Sequence, residues 1–273
     1  SFASFMRTPY LILGVSIVVG AGAFVYKRHR DRNAPQFIAP RVRANRPGGR
    51  RAVLLGGTGA TGSKVLAELL RRDEWSSVVS LGRRVVYDSD ETRPSKLREM
   101  IVDYEYLEAS SVGAWSNADV VFDCLGTTRS AAGSAAKFVR IERDYTASAA
   151  RLAKAAGVKH FSVISAQGSN PQIWVPSELI HPLLYMRTLG EKEDAVRRQG
   201  FERSSIFRPG MLDREKGDRW AEQVIHAIIG GLPVSTLAAA MVADAEVHLA
   251  RGEHEFAEIV YENSEIPKLA ATL

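Results

Sequence analysis

Three glycines at spacing three, Gly56, Gly59 and Gly62, constrain this chain more than any other feature. They follow an apolar run at 52–55 and lead into residues 63–70, whose apolar positions recur at helical spacing. The order strand, tight turn, helix is that of a dinucleotide-binding βα unit. Gly56 permits the turn, Gly59 lets the backbone approach a pyrophosphate, and Gly62 lets the helix pack close to the sheet. Free N–H groups at the helix N-terminus then favour bound phosphate. Gly56, Gly57, Thr58, Gly59, Ala60, Thr61 and Gly62 are therefore the expected phosphate cradle. A glycine triplet alone also fits an ordinary glycine-rich turn, and the flanking strand and helix decide for the nucleotide.

The rest of the chain alternates strands and helices. Strands are expected at 77–81, 100–103, 118–125 and 160–165. A helix is expected at 138–156, capped by Gly157. The fold class that follows is α/β, a Rossmann-type doubly wound parallel sheet over residues 52–273 with a small C-terminal lobe from about 207. Helices at 220–229 and 237–249, a short helix at 253–257 and a late strand at 259–261 are assigned to that lobe. At the end of the second strand an NAD site usually carries an acid that binds the ribose. Here stand Arg83 and Arg84, which suit a 2′-phosphate, or form only a solvated basic turn. NADP(H) is favoured over NAD(H). Asp103 is placed to meet the adenine, and Leu125, Gly126 and Thr127 to approach the nicotinamide half. Cys124 is the single cysteine, which excludes an intrachain disulfide, and its apolar neighbours suggest a buried structural thiol.

Residues 9–26 carry no charge and would make a helix roughly 27 Å long, near the thickness of a bilayer core. Residues 1–8 precede this expected transmembrane helix, and Tyr10 and Tyr26 sit near its ends as interface aromatics do. A cleaved signal is the alternative, but the main charge cluster follows the apolar run. Positive charge on that side places the globular part on the cytoplasmic or matrix side. The chain begins at Ser1, which suggests removal of an upstream piece. Residues 27–51 form a basic linker with nine Lys/Arg and one acid. The formal charge of +5 is concentrated there, and the remainder is net acidic. A nucleic-acid partner is therefore not expected. Membrane lipid and other subunits of a membrane complex are.

Several segments then fall in the order of a known family: the glycine turn, Leu81-Gly-Arg-Arg84, Cys124-Leu-Gly-Thr-Thr-Arg129, Phe138-Val-Arg-Ile-Glu-Arg-Asp-Tyr145, Lys159-His-Phe161 and Ile206-Phe-Arg-Pro-Gly210. From about Arg51 onward the chain resembles the atypical short-chain dehydrogenase/reductases of the HIV Tat-interactive protein family, which has fungal members attached to mitochondria. The resemblance implies NADP(H) binding and reductase chemistry by a Ser, a Tyr and a Lys four residues after the Tyr. Ser165 and Tyr185 match the first two, but Leu189 stands where the lysine belongs. Lys192 lies near the same helical face, one turn further on, and Arg187 points elsewhere. The stretch between Ser165 and Tyr185 is longer than the family's and suits a lid, a surface loop or a docking surface, the last favoured because Ile173-Trp174-Val175 would be costly to leave exposed.

Three readings compete. The first is an anchored NADP(H)-binding subunit with vestigial Ser165 and Tyr185, on the matrix side of the mitochondrial inner membrane, as an accessory subunit of a respiratory-type complex. The second is an active NADP(H)-dependent carbonyl oxidoreductase, with Lys192 or water replacing the lysine. The third is an adaptor with no cofactor. An outer-membrane or endoplasmic-reticulum anchor facing the cytosol is the alternative location. Glu253, His254 and Glu255 have no second ligand cluster, so no metal is expected.

Overall fold

Short, near-continuous apolar runs such as 52–55 and 120–122 demand a sheet covered on both faces, and the chain builds one. The computed structural model describes residues 49–176, 181–213, 231–251 and 257–272. Seven parallel strands lie in the order β3-β2-β1-β4-β5-β6-β9. They are β1 (Arg50–Leu55), β2 (Trp75–Gly82), β3 (Leu97–Ile101), β4 (Val120–Asp123), β5 (His160–Ile164), β6 (Arg203–Arg208) and β9 (Ala257–Glu262). Two short strands, β7 (Leu212–Asp213) and β8 (Leu232–Pro233), pair separately. The strand order reverses between β1 and β4, the switch point at which such sheets hold ligands.

Successive side chains feed two cores. Leu54, Phe122 and Phe207 face α1 (Ala60–Arg71) and α7 (Val234–Arg251), meeting Val65, Leu69, Leu237 and Met241. Val53, Leu55, Val121, Phe161 and Ile206 face the other way, toward α2 (Leu107–Ser110), α5 (Tyr145–Ala155) and α6 (His181–Arg197). On α5 the inward residues are Ala149, Ala150 and Ala153, small enough for the helix to lie close to the sheet. The expected continuous helix at 138–156 is instead α4 (Ala135–Val139), a π-helical turn (Arg140–Asp144) and α5. Two further helices among the described residues, α3 (Arg129–Ala132) and α8 (Ile266–Ala270), are single turns.

Several expected boundaries move for local reasons. β1 starts at Arg50, inside the expected linker, because Arg50 pairs with Trp75 and its N–H donates to Glu74 O. β3 ends at Ile101 opposite Gly82, where β2 itself ends, so Asp103 lies past the strand. β4 stops at Asp123, whose carboxylate takes the Leu125 N–H and turns the chain. Gly157 has φ +80°, as a helix-terminating glycine requires.

Of the expected C-terminal lobe, residues 207–213, 231–251 and 257–272 are described. β9 extends the main sheet beside β6, and α7 packs on α1, because α7 is apolar almost all round and needs cover on both sides. The expected anchor at 9–26, the linker up to residue 48, the helix at 220–229 and Glu253–His254–Glu255 lie outside the described residues. Among the described residues no helix is long and apolar enough to cross a membrane.

Candidate functional site

The glycine turn leaves β1 at Gly56, which has φ +79°. A Cβ there would lie 2.8 Å from Cys124 O, so the turn also needs glycine to pass the end of β4. The Gly59 N–H donates to Gly56 O at 2.9 Å and closes the turn. A Cβ on Gly62 would stand 2.1 Å from Gly56 O, closer than any real contact, so only glycine lets α1 start against the turn. Gly59 caps α1 without a side-chain hydrogen bond, and the first turn holds no acid. Gly59 and Ala60 are exposed, Thr58 is half-buried, and Gly57, Thr61 and Gly62 are buried. Backbone donors at a positive helix end, with no side chain competing for them, fit a pyrophosphate.

The neighbouring wall follows β2. Arg83 and Arg84 are exposed and form no ion pair among the described residues. Asp103 is exposed too, but its Oδ1 accepts the Glu105 N–H at 2.9 Å and caps a single 3₁₀ turn, Tyr104–Tyr106. Behind it the buried Tyr104 hydroxyl donates to Leu81 O at 2.8 Å. Its phenol is pushed well up by burial and by the Asp123 carboxylate.

On the far side of the switch point, Asp123 is buried and accepts from Leu125 N and Thr146 Oγ1. Leu125 and Thr127 are half-buried and Gly126 is exposed. Glu142, carried inward by the π-helical turn, accepts the Thr127 N–H at 2.6 Å. Lys192 is 1% exposed; its Nζ donates to Leu125 O at 2.8 Å and lies 3.5 Å from Glu142 Oε2. Burial pushes the Glu142 carboxyl up, against the pull of Lys192. Cys124, expected as a buried thiol, is half-buried, and burial of its sulfur together with the Asp123 carboxylate pushes the thiol far up.

The expected catalytic residues are differently placed. Ser165 is buried just past β5, and its hydroxyl donates to Glu193 Oε1 at 2.6 Å, with Ser169 Oγ at 3.0 Å. Glu193 is fully buried and gripped by Arg208 through two nitrogens, at 2.8 and 2.6 Å, and by Arg197 at 3.1 Å. Tyr185 is half-buried on α6, its ring 5.9 Å from that of Phe138 and 6.0 Å from that of His181. Leu189 is 3% exposed and brings no charge to this face. The preceding loop is pinned to α6 by the Asn170 N–H on Met186 O, and Gly190 permits the approach, since a Cβ there would meet Pro171 N at 2.2 Å. Trp174 in that loop is 78% exposed, while Ile173 and Val175 are half-buried.

Glu142, Glu193 and Arg208 join the site without having been expected there from spacing or motif. A signal for Glu142 existed: it falls on the inward stripe Phe138, Glu142, Thr146, Ala149, where an acid must have a partner. His160, expected as a strand-start residue, is buried with Ser205 and Asp244, away from the glycine turn on the opposite end of its strand. No cluster able to hold a metal ion occurs among the described residues.

Comparison with known proteins agrees with this geometry. Residues 56–250 match the family described as NAD(P)H-binding. HTATIP2 of Rattus norvegicus is 38% identical over 184 residues, 67% of this chain and 71% of the rat protein. The protein named mitochondrial FMP52 in Coccidioides immitis is 32% identical over 184 residues, 65% of this chain and 70% of the fungal one. Among solved structures, the UDP-Glc/GlcNAc 4-epimerase of Campylobacter jejuni superposes with a TM-score of 0.58 at 14% identity, covering 81% of this chain and 82% of the epimerase. The UDP-glucuronic acid 4-epimerase of Bacillus cereus, solved with NAD, gives 0.56 at 15% identity, covering 78% of this chain and 76% of its own. At such identities the two epimerases speak to the fold alone.

Proposed function

This chain belongs to the NAD(P)H-binding, short-chain dehydrogenase-like family of HTATIP2 and FMP52, and from that membership we propose that it binds NADP(H) as a catalytically impaired accessory subunit of a mitochondrial membrane complex. The observation that carries the impairment is Leu189, buried on α6 at the position of the family's lysine. A nicotinamide dinucleotide supplies hydride chemistry when bound. The chain's own part in a reduction would be to give a proton from Tyr185 and to orient a carbonyl with Ser165. An uncharged leucine at 189 cannot lower the pKa of a phenol as the family's lysine does. The Ser165 hydroxyl is meanwhile committed to Glu193.

Binding is intact where chemistry is not. The pyrophosphate is assigned to 57–61, and the 2′-phosphate to Arg83 and Arg84, which favours NADP(H) over NAD(H). The uncharged run at 9–26 supports a single membrane anchor with the globular part on the matrix side, and the FMP52 name supports the mitochondrion. Trp174, exposed on a pinned loop, is the contact assigned to a neighbouring subunit. An active reductase is the second reading, and the buried ammonium of Lys192 near the end of β4 favours it. That ammonium, however, is occupied by Leu125 O and Glu142.

Mitochondrial membranes washed with alkaline carbonate, then solubilised and resolved by native electrophoresis, test the subunit role. The chain is expected to stay with the membrane and to migrate in a large assembly with NADP(H) bound. Release by carbonate or migration as a lone protein would contradict it.

A further inference from the structure

Lys192 and Glu142 are two charges buried beside the nucleotide cleft, and neither belongs to the family's Ser-Tyr-Lys set. Burying an ion pair costs desolvation that its attraction does not reliably offset, so the pair is not explained by stability alone. Its geometry is specific. Helical side chains lean toward the helix N-terminus, so Lys192 reaches back along α6 to Leu125 O at 2.8 Å. Glu142 takes the Thr127 N–H with one oxygen at 2.6 Å and faces Lys192 with the other at 3.5 Å. The two charges thus hold both ends of a three-residue loop whose middle residue, Gly126, is exposed. A Cβ on Gly126 would lie 3.5 Å from Glu142 Oε1, so the carboxylate also backs the centre of the loop.

The helix is deformed where this happens. Arg140–Asp144 form a π-helical turn between α4 and α5, and Glu142 is its buried member, 4% exposed. Such turns insert a residue into a helix and are frequent at functional sites. The loop so held lies across the switch point from the glycine turn, whose backbone approaches it at Cys124.

We propose that Lys192 and Glu142 are a buried clamp that sets the 125–127 backbone to receive the nicotinamide–ribose half of the dinucleotide, which makes them positioning residues for cofactor affinity. This rests on the NADP(H) reading above. The clamp acts on one half of the ligand only, and that gives the test. The full chain and its Lys192→Met and Glu142→Gln variants are titrated calorimetrically with NADPH and with adenosine 2′,5′-bisphosphate, which lacks the nicotinamide half.

If an unclamped loop holds the receptive shape about a tenth of the time, NADPH affinity falls about tenfold while bisphosphate affinity stays within about twofold. Glu142→Gln keeps the shape and an acceptor for the Thr127 N–H while breaking the ion pair. It carries the test if Lys192→Met does not fold. Parallel losses for both ligands, or unchanged NADPH affinity in a folded variant, would overturn the clamp. An unmodified chain that binds neither ligand would overturn the NADP(H) reading and the clamp with it.

Discussion

Arg83 and Arg84 stand one and two residues past the end of β2, where an NAD site would present an acid to the ribose. Charge-assisted bonds contribute about 1.5–3 kcal/mol each, so losing two should weaken NADP(H) binding by roughly a hundredfold or more. Titration of NADPH fluorescence with the Arg83→Ala/Arg84→Ala variant is expected to give that loss, with NADH affinity changing far less. Equal losses for both nucleotides would reject the 2′-phosphate assignment. At this scale the sequence was a partial guide. The glycines and the leucine at 189 were legible because spacing alone identifies them. The fate of the Ser165 hydroxyl was not, because Glu193 is held there by Arg208, which arrives from another strand. Lys192 was legible as a nearby cation, and its partner Glu142 only as an acid on an inward helical stripe.

Among the elements, the junction of β1 and α1 tolerates least. A Cβ at Gly62 meets backbone at Gly56, which cannot swing aside as a side-chain end would. Overpacking of about 1–3 kcal/mol should lower the melting temperature of Gly62→Ala by roughly 3–10 °C, and NADPH binding should fall with it. A variant that melts and binds like the parent would show that the turn is looser than described.

The packing of α7 against β5 and β6 carries a pH signature. His248 is buried, and its imidazole is pushed down to about 4 by burial, by His160 and by Arg203, against Asp244 and Glu202. The folded value lies below the ordinary 6.5, so the unfolded chain takes the proton first. Stability from this group is fully present above about pH 6.5 and is lost as pH falls toward 4, by no more than about 3 kcal/mol. Asp244, held far below the usual carboxylate range by His160 and Arg203, adds a loss only in stronger acid. Urea unfolding at pH 7, 5.5 and 4.5 should therefore show a decline that His248→Phe flattens. Identical slopes for parent and variant would refute the assignment.

For the whole molecule, the parallel sheet and its switch point were readable from the alternation of strands and helices. The sequence assigns the segments from about 207 onward to a small C-terminal lobe that would cover a substrate. In the structure, β9 pairs with β6 and α7 covers α1, long-range contacts that local periodicity does not carry. On the proposed reading the molecule keeps a nucleotide site while losing its chemistry. The most direct test of that reading is one sample of the full chain, titrated to saturation with NADPH and then offered a panel of carbonyl compounds. A positioned acid–base group contributes about 10²–10⁴-fold, and enzymes typically turn over at about 10 per second. The expected result is saturable NADPH binding with oxidation below about 0.1 per second for every carbonyl. Turnover at roughly ten per second or more on any of them would contradict the account.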